Sequence, residues 1–302
     1  MNLKLRSLAF SAALFLLLLN CSLGSHERRG DSYFNKGKYR DALAEFLIAR
    51  RDDPSSTQLL FKIGVTSTRL KDMGMACAYY DTLLALDSSR TRWIIKDLFQ
   101  FGVKSLNEGE PVLMREAFQK VLDIDSTYNL GDSFYPLGRS YKDAGQYERA
   151  VRAYLKALSF SPDSPEAITV LFELAQCYEE LGKYKEALSY YEDYIEQIDE
   201  GATDEVLWHV GNTAYKLADR LYGEGNLEEA QEYLKMVIEL GRPQVLLIDA
   251  WFLSGEIFYA SEEYDKALEA YSEVLNLNPS RTMKVATQSL ERIREIKYGR
   301  VR

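Results

Sequence analysis

Seven stretches of this chain copy one another at a near-constant spacing, and that limits the fold more than any single residue does. Five of them read Gly37-Lys38-Tyr39-Arg40-Asp41-Ala42, Gly145-Gln146-Tyr147-Glu148-Arg149-Ala150, Gly182-Lys183-Tyr184-Lys185-Glu186-Ala187, Gly225-Asn226-Leu227-Glu228-Glu229-Ala230 and Glu262-Glu263-Tyr264-Asp265-Lys266-Ala267. With the last residue of each as anchor, two weaker copies end at Ala76 and Met114, so anchors recur every 34 to 43 residues from 42 to 267. Twelve residues before each anchor stands a small residue: Gly30, Gly64, Gly102, Gly138, Ala175, Ala218 and Gly255. Four residues after it stand Phe46, Tyr80, Phe118, Tyr154, Tyr191, Leu234 and Tyr271, and twelve after it Pro recurs as Pro54, Pro162 and Pro279. Each unit holds two stretches of helical period around a turn, as in Glu166 to Leu181 and Tyr184 to Ile198. Leu171, Leu174, Ala175 and Tyr178 form one apolar stripe. A unit this small cannot bury its stripe alone, so the copies must stack with nearest-neighbour contacts.

The pattern resembles the tetratricopeptide repeat family over about residues 25 to 279. The resemblance implies an all-α fold, a right-handed α-solenoid of about seven helix-turn-helix repeats. They fall at about 25–55, 57–90, 92–126, 130–163, 166–199, 205–242 and 245–279. Residues 280–302 form a C-terminal capping helix and basic tail, with Met283, Ala286, Leu290 and Ile293 on one face. Repeats two and three lack the tight glycine turn, having Lys71-Asp72-Met73 and Asn107-Glu108-Gly109-Glu110-Pro111, and repeat six is lengthened near 198–204. Pro136 falls in the first helix of repeat four, so that helix is expected to begin near Asp132 or Ser133 with the proline in its first turn.

Composition removes several function classes. A chain that is 46% hydrophobic and 27% charged is neither disordered nor fibrous. A net charge of −9 argues against a nucleic-acid partner. Two His and three Cys offer little for metal or thiol chemistry, and there is no His-Glu-x-x-His, Cys-x-x-Cys or phosphate-loop motif. No catalysis, cofactor or metal is therefore expected. Cys77 and Cys177 lie three repeats apart on apolar positions. With helices about 8–10 Å apart they are out of reach of a disulfide and are expected as buried free thiols.

The first residues read as an address. Lys4 and Arg6 precede an uncharged run from Leu8 to Leu19, which at helical rise spans about 18 Å and is too short to cross a bilayer. The run reads as an export signal. Leu18-Leu19-Asn20-Cys21-Ser22 resembles the lipobox of bacterial lipoproteins, with Asn20 in place of the usual small residue. The resemblance makes residues 1–21 a signal peptide, lipidates Cys21, and implies an outer-membrane lipoprotein facing the periplasm. Cleavage after Ser22-Leu23-Gly24 is the alternative, giving a soluble periplasmic or secreted chain, and an uncleaved anchor is a third.

Function is expected on the inner, concave face carried by the first helices. Fifteen residues before the anchors stand Glu27, Phe61, Phe99, Tyr135, Phe172, Tyr215 and Phe252, a ladder of rings interrupted only at the start. Val65, Val103 and Leu106 add apolar surface, and beyond Arg139 and Lys142 the face turns acidic with Glu173, Glu179, Asp219 and Glu256. Rings supply contact area at low entropic cost, which suits a protein or peptide partner. The Lys and Asn clamp of chaperone-tail-binding relatives is missing. The chain is thus expected to be a non-enzymatic scaffold of the cell envelope, similar in architecture to repeat lipoproteins of outer-membrane β-barrel assembly. A cell-wall or cell-division coordinator and a non-catalytic subunit of an envelope enzyme complex are the alternatives. Self-association through Tyr79 and Tyr190 is a further one.

Overall fold

The computed structural model describes residues 25–198, 201–280 and 283–299. The proposed signal segment and Cys21 lie outside the described residues. The chain is an all-α repeat protein. Its helices are α1 (25–35), α2 (Tyr39–Asp52), α3 (Thr57–Arg69), α4 (Met73–Leu86), α5 (Thr91–Asn107), α6 (Pro111–Ile124), α7 (Phe134–Asp143) and α8 (Tyr147–Phe160). They continue with α9 (Pro165–Glu180), α10 (Tyr184–Gln197), α11 (Asp204–Gly223), α12 (Leu227–Leu240), α13 (Gln244–Ala260), α14 (Tyr264–Leu277) and α15 (Lys284–Tyr298). Among the described residues none of these is long and apolar enough to cross a membrane.

Two compact units divide the chain, the first to Ser140 and the second from Tyr141. In the first, α3 packs on α4 and α5 on α6, while α3 also meets α5 and α4 meets α6. In the second, α9 pairs with α10, α11 with α12 and α13 with α14, and α15 packs on α14. Pro136 is the third residue of α7, which starts at Phe134 behind a 3-10 turn at Gly131–Ser133, so its missing N–H costs no helical bond.

Every turn inside a pair has the same chemistry. Gly37 N–H donates to Phe34 O at 2.9 Å and Lys38 N–H to Tyr33 O at 2.9 Å, the two bonds that close a helix on a left-handed residue. The same two bonds recur at Lys71-Asp72, Gly109-Glu110, Gly145-Gln146, Gly182-Lys183, Gly225-Asn226 and Glu262-Glu263. The left-handed residue is glycine in five turns, but Lys71 (φ 62°) and Glu262 (φ 61°) adopt it as well. Repeat two therefore keeps the turn that its sequence lacks.

The recurring small and aromatic residues meet in space. A Cβ on Gly30 would stand 2.5 Å from the Phe46 ring, on Gly64 2.3 Å from Tyr80, on Gly102 2.4 Å from Phe118 and on Gly255 2.6 Å from Tyr271. All four rings are buried, so the ring of the second helix lies flat on the bare backbone of the first. The anchors Ala42, Ala76, Ala187, Ala230 and Ala267 are wholly buried. In the cap, Ala286 is buried against Ile248 and Val274, and Met283 packs on the same cluster.

Both cysteines among the described residues are free thiols. Cys177 is buried and its thiol is pushed up to about 12 by burial. Cys77 corrects the expectation, since it is only half-buried.

Candidate functional site

The expected ladder residues are half-buried and commit one side to their own repeat. Ring centroids of Phe61 and Tyr80 are 6.3 Å apart, Phe99 and Phe118 5.9 Å, Phe172 and Tyr191 5.7 Å, and Phe252 and Tyr271 6.1 Å. Phe99 also meets Tyr128 edge-on. Val65, Val103, Leu106, Tyr135 and Tyr215 are likewise half-buried, and Arg139 is exposed. Burial, then the charges of Asp249 and Asp219, push the Tyr215 hydroxyl up to about 12.

One pocket opens on this face in the first unit. A cavity of about 220 Å³ is lined by Phe34, Phe46, Phe61, Val65, Lys62 and Asp31. Its walls are apolar except for Asp31 and Lys62, and the Lys62 ammonium donates to Glu27 Oε1 and Asp31 Oδ2, each at 2.8 Å. Burial acts to lower the Lys62 ammonium, but the two carboxylates more than offset it and raise it. Phe61 and Val65 were legible as groove residues. Phe34 and Phe46 were not; an aromatic eight residues before the anchor also occurs as Tyr222 and Tyr259, and what marks repeat one is Phe34 there together with the hydroxyl-free Phe46.

The same register in the second unit is closed by polar groups. Glu179, eight residues before its anchor, is buried and accepts from His209 Nδ1 at 3.0 Å, Asn212 Nδ2 at 2.8 Å, Lys216 Nζ at 3.1 Å and Tyr191 Oη at 3.1 Å. Burial tends to raise this carboxyl, but the hydrogen bonds and charges of His209 and Lys216 lower it to about 2. His209 is flanked by the rings of Phe172, Tyr191 and Trp208.

This corrects the expected acidic stretch of the groove. Three of its four carboxylates, Glu173, Glu179 and Glu256, are engaged by buried tyrosines, whose hydroxyls need acceptors, while Asp219 is exposed. Tyr80 donates to Asp97 Oδ2 at 2.6 Å, Tyr154 to Glu173, Tyr191 to Glu179, and Tyr271 to Glu256. Burial raises the Tyr80, Tyr191 and Tyr271 hydroxyls, and the adjacent carboxylates raise them further. Arg292 of α15 adds two bonds of 2.8 Å to Glu256, tying the cap to α13. Where the ring is Phe46 or Phe118 no acceptor is needed, and the residues eight before the anchor are the apolar Phe34 and Leu106. Arg50 sits over the Tyr79 ring at 5.0 Å, and Tyr190 stacks on Tyr178 at 5.4 Å. Both tyrosines thus make ring contacts within the repeats while remaining half-buried.

Tetratricopeptide repeat descriptions match residues 27–90, 132–199 and 248–281. Superkiller complex protein 3 of Homo sapiens is 28% identical over 251 residues, covering 78% of this chain and 14% of that protein. Protein O-mannosyl-transferase TMTC1 of Homo sapiens is 23% identical over 57% of this chain and 18% of its own length. A TPR repeat-containing protein of Methanocaldococcus jannaschii is 26% identical over 51% of this chain and 30% of its own length. The chain thus spans between 14% and 30% of these curated relatives. Among solved structures, the C-terminal part of a TPR repeat-containing protein from Cytophaga hutchinsonii covers 87% of this chain and 99% of its own, at 19% identity and a TM-score of 0.42. YrrB, described as a TPR protein with an unusual peptide-binding site, covers 82% of this chain and 97% of its own, at 19% identity and a TM-score of 0.34.

Proposed function

The chain belongs to the tetratricopeptide repeat family, whose repeats serve as protein-interaction scaffolds, and on that premise we propose that it binds an extended peptide or protein segment in the cell envelope. The pocket of α1 to α3 carries this reading. Phe34, Phe46, Phe61 and Val65 enclose a volume suited to one large apolar side chain, beside a lysine already neutralised by two carboxylates. Such a site selects for apolar contact rather than for a charged chain end. The groove residues Phe99, Val103, Leu106, Tyr135 and Arg139 continue the binding face within the first unit, whereas in the second Phe172 packs on His209 of the polar cluster.

Lipidation at Cys21 tethers the scaffold at a membrane, with the outer membrane as the proposed location. The tether is supported by the basic start, the short apolar run and the cysteine directly after it. The chain's part is binding, and any chemistry on the partner belongs to another protein.

A photo-crosslinking side chain at Val65 tests the pocket against one at Asp219, the same register where the second unit is closed. Val65 is expected to capture a defined partner that Phe34→Glu abolishes while helical content is kept. Equal capture at both positions, or capture indifferent to Phe34→Glu, overturns the assignment. Radiolabelled fatty acid is expected to label the wild type and not Cys21→Ala; an unlabelled wild type removes the tether but not the pocket.

A further inference from the structure

A second cavity of the first unit lies beside Phe99 toward the start of α5, where Tyr128 lines it and meets the Phe99 ring. It measures about 670 Å³ and is lined by Ser89, Thr91, Arg92, Lys96, Asp125 and Tyr128. It is built where α4 hands over to α5 and where the chain leaves α6. Successive helices reverse direction, so the starts of α1, α3 and α5 and the ends of α2 and α4 share this edge of the unit.

Three observations distinguish the edge. Arg92 and Lys96 are exposed, and among the described residues neither makes an ion pair, in a chain of net charge −9. Acids nearby are turned to neighbours: Asp53 accepts from Ser55, Asp87 from Ser89, Asp123 from Gln119 and Asp125 from Thr127. Next, Leu86 and Trp93, at the end of α4 and the start of α5, are 55% and 56% exposed, while most large apolar side chains are buried. Finally, the start of α1 lies at this same edge, and in sequence only the five residues 20–24, with a contour length of at most about 17 Å, separate it from the apolar run ending at Leu19.

We propose that this edge of the first unit rests on an anionic phospholipid surface. Arg92 and Lys96 take headgroup phosphates in the cavity, and Trp93 and Leu86 enter the interfacial layer. Trp is at home at that depth, and each cation near an anionic leaflet adds to the attraction. The short reach to the apolar run holds the edge near the surface, and the pocket of Phe34, Phe46, Phe61 and Val65, which shares no residue with this cavity, is left to the peptide. The proposal rests on the reading that the chain works at a membrane through its N-terminal segment.

Flotation of the full chain with vesicles tests it, comparing phosphatidylcholine alone with phosphatidylcholine containing phosphatidylglycerol. The apolar run binds both, so the difference between the two reports the edge. Wild type is expected to prefer the anionic vesicles, with a preference that falls as salt rises. Arg92→Gln with Lys96→Gln, both at exposed positions, is expected to cut that preference about tenfold at unchanged helical content. Trp93→Ala is expected to weaken binding to both vesicles. Cys21→Ala is expected to leave the preference intact, which separates failure of lipidation from failure of this contact. No preference in wild type, an undiminished preference in the double variant, or full competition by inorganic phosphate overturns the proposal, the last by making the cavity a small-anion site.

Discussion

The face carried by the first helices is open in repeats one and two and closed in repeats five and six, although both are built on one register. Eight residues before the anchor stands Phe34 in one and Glu179 in the other, and four after it Phe46 and Tyr191. Lys62 and Lys216 hold the same place in the following helix. Where the pair is Phe and Phe, the lysine turns to Glu27 and Asp31 and an apolar cavity remains. Where it is Glu and Tyr, the carboxylate collects the lysine, the hydroxyl, His209 and Asn212, and the space fills. In these two regions one repeat scaffold makes either an open apolar cavity or a polar knot, and in the knot the buried ring carries a hydroxyl that must be satisfied.

The largest effect is expected at the knot. Glu179→Ala leaves a lysine, an amide and a buried hydroxyl without their acceptor and should lower the unfolding free energy by about 3 kcal/mol in a urea titration. A loss under about 1 kcal/mol would mean that the knot is ornamental to stability. The same contribution has a pH signature. The folded Glu179 carboxyl lies at about 2 against an ordinary 4.5, so its stabilisation is full above that ordinary value and is lost as pH falls toward 2. Wild type and Glu179→Gln should accordingly converge in stability in acid and diverge near neutrality.

The next test converts one region into the other. Phe46→Tyr alone buries a hydroxyl against Phe34 and should cost about 2 kcal/mol. Adding Phe34→Glu supplies the acceptor, with Lys62 close by, and the double variant should be more stable than the sum of the single changes predicts. Strict additivity would break the comparison. Gly64→Ala places a methyl group 2.3 Å from the Tyr80 ring and should cost about 1–2 kcal/mol. The smallest effect lies in the turns: Lys71→Gly relieves a left-handed lysine and should stabilise by no more than about 1 kcal/mol. Its ion pairs to Glu108 and Glu110 are exposed and weigh little against that gain.

Much of the fold was legible because the constraints are local and recur. The small residue and the ring are sixteen positions apart in six of the seven repeats, with Leu234 in the ring's place in repeat six, so a contact between neighbouring helices leaves a mark in the sequence. The candidate site was less legible. Phe61 and Val65 stood in a readable column, but Phe34 looked like one more apolar residue, and the acidic face looked solvated. Glu256 and Glu179 answer to Arg292 and His209, residues 36 and 30 positions away, and no local pattern announces such partners. Cys77 was misjudged for a related reason, since helical period gives the direction of a side chain and not the depth of what covers it.

By itself the sequence determined that helices pair, where each pair turns, and which small residue receives which ring, because each of these is a property of one repeat. It also carried an N-terminal order of charged and apolar residues that resembles an export signal, a matter of composition and order. Tertiary structure alone decided which parts of a shared face are pockets and which are sealed. That outcome depends on whether a hydroxyl, a carboxylate and a lysine from three helices come within about 3 Å of one another.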